Sequence, residues 1–238
     1  MPLRRLIARD RSPTADWELA GLLAFTAGAV DVTGYLSLRQ YTTHMSGLVA
    51  LMAEDVGQRG LRILLEPATV FASFLAGAAF CALLVNWARR RDRESLYAVP
   101  LLIEAALLAT LAIPGSIGRF FLTLCVMSFS MGLQNAMITK LSHSVIRTTH
   151  ITGMVTDIGI ELGKALYWNR TTGRVPVQAE RGRMLLLSML VLLFFTGGAL
   201  GTLSYAHLGF WLMLPLAGML ALFTIAPIAV DLRWLRVS

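Results

Sequence analysis

The chain has 238 residues, 56% of them hydrophobic and only 15% charged, and its 21 Lys and Arg against 14 Asp and Glu leave a net charge of +7. A soluble domain carries roughly 25% charged residues, so this composition excludes an ordinary soluble enzyme; the arginines also fall between apolar runs, where membrane topology accounts for them and nucleic acid is not needed as a partner. Cys81 and Cys125 sit inside apolar segments without metal-ligand spacing, and no CxxC, P-loop, GxSxG or HExxH pattern occurs, so no metal, other cofactor or catalytic residue is expected.

The N-terminal stretch MPLRRLIARDRSPTADW has four arginines but no apolar region before a small-residue cleavage site, and it does not read as a removable signal peptide. Ser12-Pro13-Thr14 reads as a turn and Asp16 as the N-cap of the first span. Eight segments follow: Leu19–Leu38, a short one at Met45–Val56, Pro67–Trp87, Leu96–Ile113, Phe120–Ile138, a short polar one at Ile151–Leu166, Met184–Leu203 and Leu208–Val230. Stretches of roughly 18 or more apolar residues cross a bilayer. Met45–Val56 is too short to do so, and Ile151–Leu166 carries Asp157, Glu161 and Lys164, each costing about 2.5–3.5 kcal/mol at a helix centre.

The loop charges separate two topologies. If both short segments enter the membrane and return, 17 Lys and Arg lie on the inner side and four, Arg39, Arg59, Arg62 and Arg119, on the outer. If all eight segments cross, the Arg89–Arg93 cluster falls outside, against the positive-inside rule. The sequence therefore predicts an all-α polytopic membrane bundle, a single domain over 1–238, with six full spans and two half-membrane helices. Its halves, 17–113 and 114–231, form an inverted 3+3 repeat of the kind found in secondary transporters.

The halves share a motif. Thr42-Thr43-His44-Met45-Ser46-Gly47 matches Thr148-Thr149-His150-Ile151-Thr152-Gly153, and Gly28-Ala29-Val30-Asp31 pairs with Gly132-Leu133-Gln134-Asn135 after a two-residue adjustment. Hydroxyls of Thr and Ser cap helix N-termini, and Gly permits close backbone approach. Each copy is thus expected to open a half-helix whose free N–H groups and positive end favour an anion or carboxylate. Thr43, His44, Ser46, Gly47, Thr149, His150, Thr152 and Gly153, with Gln134 and Asn135 on the preceding span, are the candidate substrate-binding residues. Asp31, Asp157, Glu161 and Glu104 are the candidate proton-coupling residues, because ionisable groups inside membranes mark pathways. The plainer alternatives are mutual satisfaction of Thr and His, a helix-helix hydrogen bond from Asp31 to Thr33, Thr43 or the opposing repeat, and a solvated face carrying a Glu161–Lys164 pair.

The stretches AGAVDVTGYLSLRQYTTHMSG and MGLQNAMITKLSHSVIRTTHITGMVTDIG resemble the two signature regions of the YoaK-like family of bacterial integral membrane proteins, domain of unknown function 1275. The resemblance runs from about Leu19 to Val230. In that family the first motif usually reads Thr-Gly-Asn where this chain has Ser46-Gly47-Leu48, so no role of that Asn carries over. The resemblance implies a multi-pass protein of the bacterial plasma (inner) membrane and brings no reaction with it; the charge count puts both termini in the cytoplasm. The expected partners are the lipid bilayer, a small-molecule solute and a second copy of the chain. The expected function is a secondary transporter or channel-like permease for a small anionic or carboxylate-bearing solute, proton-coupled. The alternatives are an intramembrane enzyme using His44 and His150, and a non-transporting scaffold or sensor.

Overall fold

The computed structural model describes residues 13–58, 65–91, 97–141, 149–168 and 176–234. They form α1 (Pro13–Leu38), α2 (Met45–Gln58), α3 (Leu65–Arg90), α4 (Ala98–Ser116), α5 (Phe120–Leu141), α6 (Ile151–Leu166), α7 (Arg181–Leu208), a 3-10 turn at Gly209–Leu212 and α8 (Met213–Trp234). Each expected segment has its helix. Most boundaries move by two to six residues, and two of the shifts have a local cause. α1 starts at Pro13, whose fixed φ suits a first helical position, so Asp16 lies inside the helix and does not cap it. The last segment was expected to start at Leu208, but Gly209 takes φ +55°, which a side chain disfavours, and a 3-10 turn separates α7 from α8. Arg147 and Thr148 of the second motif, and Arg59 and Arg62, lie outside the described residues.

By length and hydropathy, Trp17–Leu38, Leu65–Arg90, Phe120–Lys140 and Arg181–Thr224 are able to cross a membrane; Ala98–Ile113 is apolar but shorter. The outer surface fits a bilayer as solvent. Leu75, Leu83, Leu192, Phe195 and Leu203 are each at least 60% exposed, a distribution that water penalises and hydrocarbon does not. α2, with 14 residues, is about 21 Å long, short of the ~30 Å hydrocarbon core.

Because lipid tails are as apolar as Leu, helices in a membrane associate through close packing at small residues. The chain does this with one pattern used four times, Phe-x-x-Gly: Phe25 to Gly28, Phe74 to Gly77, Phe129 to Gly132 and Phe194 to Gly197. A Cβ on Gly28 would collide with the Phe194 carbonyl, and one on Gly197 with that of Phe25. A Cβ on Gly77 would collide with the Phe129 carbonyl, and one on Gly132 with that of Phe74. The first crossing joins α1 to α7 and the second α3 to α5. Each half thus lends its first helix to the third helix of the other.

Strand-like order along these seams sets direction. Gly21 faces Met189 and Leu193, while Gly201 faces Ala29, so α1 and α7 run parallel. Gly77 faces Phe129 and Leu133, and Asn86 accepts a hydrogen bond from Lys140 Nζ at 3.4 Å, so α3 and α5 also run parallel. α1 and α5 are antiparallel. The Leu23 carbonyl accepts from Gln134 Nε2, whereas Gly34, eleven positions later, faces Met127. α4 packs on α5 and α8, and α6 on α7. The buried core runs through Leu19 and Leu23, Leu101 and Leu108, Met127 and Met131, and Leu190.

Candidate functional site at the repeated motif

In the first copy, Asp31 organises the loop between α1 and α2. Its Oδ1 accepts from the Thr42 N–H at 2.8 Å, the Thr42 hydroxyl at 3.1 Å and the Thr43 N–H at 3.0 Å. Thr42 is fully buried and Asp31 nearly so. These backbone donors lie just before α2 and have no helical partner, so the carboxylate does for them what a ladder would. Tyr35 and Tyr41 stack across the same loop with ring centroids 4.5 Å apart.

The second copy repeats the device with a weaker anchor. Asn135 occupies the place of Asp31; its Oδ1 accepts from the Thr149 hydroxyl, and its Nδ2 donates to the Met131 carbonyl at 2.9 Å. A primary amide offers one acceptor atom and no charge, so a single hydroxyl satisfies it.

The histidines, and not the threonines, occupy the helix starts. His150 is the N-cap residue of α6 and makes no side-chain cap bond. Leu48 N–H donates to the His44 carbonyl and Met154 N–H to the His150 carbonyl, both at 3.0 Å, so the two helices begin at the same motif position. Capping by Thr or Ser was the expectation, but Thr42, Thr43 and Thr149 point back to the preceding span. The glycine three residues on explains itself through the ring. A Cβ on Gly47 would meet His44 Nδ1 at 3.0 Å, and one on Gly153 would collide with His150 Nδ1. His44, Ser46, His150 and Thr152 are exposed.

The two copies differ in what they open onto. His150, Thr152, Gly153 and Asp157 line a cavity of about 880 Å³ together with Trp17 of α1 and Arg183 of α7. No residue of the first copy lines it. On its wall Arg183 Nη2 donates to Asp157 Oδ2 at 2.9 Å. Arg183 Nε is buried and has no partner among the described residues, so donor capacity remains. Below this pair, Glu161 Oε1 accepts from Lys164 Nζ at 2.7 Å and Oε2 from the Glu180 N–H at 2.7 Å. The Lys164 ammonium and then the Glu180 N–H hold the Glu161 carboxyl below the usual carboxylate range. The local Glu161–Lys164 pair was legible from its spacing; the role of Glu161 in seating α6 on the start of α7 was not.

Glu104 and Gln134 lie elsewhere, fully buried between α4 and α5. Trp17, Glu180 and Arg183 were not candidates in sequence, since nothing in their spacing ties them to a motif more than twenty residues away. Among the described residues no group of three His, Cys, Asp or Glu side chains stands close enough to hold a metal ion.

A bundle of apolar helices with polar loops folded against its spans defines an integral membrane protein, and sequence comparison agrees. The family model described as "Protein of unknown function (DUF1275)" matches residues 19–226, and the chain belongs to that family. It is 29% identical over 156 residues to the UPF0700 transmembrane protein YoaK of Bacillus subtilis (strain 168), covering 64% of this chain and 69% of that protein. No solved structure matches.

Proposed function

We propose that the protein is a small secondary transporter or channel-like permease for a small anionic or carboxylate-bearing solute, proton-coupled, with its binding vestibule at the start of α6. The observation that carries this reading is the cavity where His150, Thr152 and Gly153 meet Arg183. Free N–H groups at the α6 N-terminus carry about half a positive charge, and Arg183 adds a planar cation whose Nε is unspent. A carboxylate or small inorganic anion suits both.

The helix directions support six spans with re-entrant α2 and α6. With α1 and α5 antiparallel, an even number of crossings separates them, as when α3 and α4 cross and α2 does not. With α7 parallel to α1, the passage from α5 to α7 needs no crossing by α6. The halves then have opposite orientation, as in inverted-repeat transporters. The charge distribution supports cytoplasmic termini, and membership of the family supports a bacterial plasma membrane.

A second reading, a non-transporting scaffold or sensor, draws on the first copy, where Asp31 is consumed in holding a loop. One measurement separates the two. Thermal unfolding of the detergent-purified protein is followed with short mono- and dicarboxylates, phosphate and sulfate; a ligand of the folded state raises Tm with concentration. A rise lost in His150→Ala and Arg183→Gln but kept in His44→Ala is expected. No rise with any anion, or equal loss in His44→Ala, sinks the vestibule.

A further inference from the structure

Glu104 lies mid-way along α4 with none of its surface exposed, and neither carboxyl oxygen meets a donor among the described residues. The polar group within its hydrogen-bonding reach is the amide of Gln134 on α5, also fully buried. That amide donates one N–H of Nε2 to the Leu23 carbonyl of α1 at 3.2 Å, and its other N–H makes no bond to either Glu104 oxygen. Its Oε1 has no donor either. Ser130, one turn earlier on the same face of α5, adds a fourth buried oxygen without a partner among the described residues.

Buried acceptors are almost always paired, and a carboxylate buried against another acceptor is a charge without compensation. One proton resolves both shortages, since a neutral carboxylic acid donates through its O–H and still accepts through the other oxygen. We infer that Glu104 and Gln134 form a proton-binding site, in which Glu104 is a neutral acid donating to Gln134 Oε1.

The surroundings keep the site isolated. Cys81 of α3 is the neighbouring ionisable side chain, and Lys140, at the last turn of α5, is bonded to Asn86. α1 presents the Leu23 carbonyl, and neither the 3-10 turn nor residues 213–224 of α8 carry an ionisable group. The position gives the proton leverage. α4 ends the first half and α5 begins the second, so removing the proton turns an attraction between halves into a repulsion and biases how they are seated. Use of the site as the coupling group rests on the transport reading; the site itself does not.

Infrared spectra of the protein in lipid vesicles test this, with Glu104→Gln and Gln134→Leu beside the wild type. A neutral carboxylic-acid carbonyl band is expected at neutral pH in the wild type. It should vanish in Glu104→Gln and move to higher frequency in Gln134→Leu, where the acid loses its acceptor. Absence of the band in the wild type overturns the inference, and so does a band unmoved by Gln134→Leu, which holds even if Glu104→Gln does not fold. The spectrum reads the proton with no solute present, so a protein that moves none of the anions tested fails the transport reading alone.

Discussion

The two copies of Thr-Thr-His-x-(Ser/Thr)-Gly share a backbone plan and differ in their anchor and outlook. In both, a polar residue on the preceding span meets the threonine just before the His, the His starts the short helix, and its ring lies over the glycine three residues on. The first copy has an aspartate taking three donors, in a loop where Thr42 is fully buried. The second has an asparagine taking one, beside a cavity walled by Arg183 and Trp17. The difference teaches that one folding device serves as a lock in one half and as the rim of an opening in the other.

The anchors give the largest test of that contrast. Asp31→Ala strands three donors and is expected to cost about 3–5 kcal/mol, against roughly 1–2 kcal/mol for Asn135→Ala, in detergent unfolding. Equal losses would mean the copies are equally locked. Next come the glycines. Gly153→Ala should cost about 2–3 kcal/mol because His150 must leave its place, and Gly47→Ala about 1 kcal/mol because His44 has only to give slightly. Paired replacement of each histidine by Ala should relieve both penalties, and a penalty that survives would remove the ring from the explanation.

Smaller is a pH effect confined to the second half. With its folded-state pKa lowered, Glu161 binds protons more readily when unfolded, so its contribution is full above the unfolded carboxylate value near ~4.3 and fades as pH falls through the lower folded value. The acid-side fall of Tm should therefore be shallower in Glu161→Gln than in the wild type, and identical slopes would detach Glu161 from the α6–α7 seam. Smallest is Asp157→Asn. Its pair with Arg183 is more than a third exposed on both sides, so stability should change by no more than ~1 kcal/mol, while release of Arg183 should tighten anion binding in the thermal-shift assay.

Much of this was readable from the chain. The apolar runs, the two short helices, the duplicated motif and the pairing of Asp31 with Asn135 all follow from local pattern, because helix length and polar interruption are properties of neighbouring residues. Thr43 was one of the partners foreseen for Asp31, since a loop of a dozen residues can fold back no farther. The Phe-x-x-Gly pattern was equally present in the sequence, at four sites spread over α1, α3, α5 and α7.

Local pattern carries no record of which distant helix a glycine meets. Composition and periodicity alone determined a helical membrane protein, since burying backbone polar groups in lipid leaves few other solutions. Only the tertiary structure decided that α1 crosses α7 and α3 crosses α5, that α1 opposes α5, and that Glu104 is buried against an amide whose oxygen has no donor. Those are contacts between segments some thirty to 170 residues apart, where the free energy comes from shape fit between surfaces that no single stretch of sequence contains.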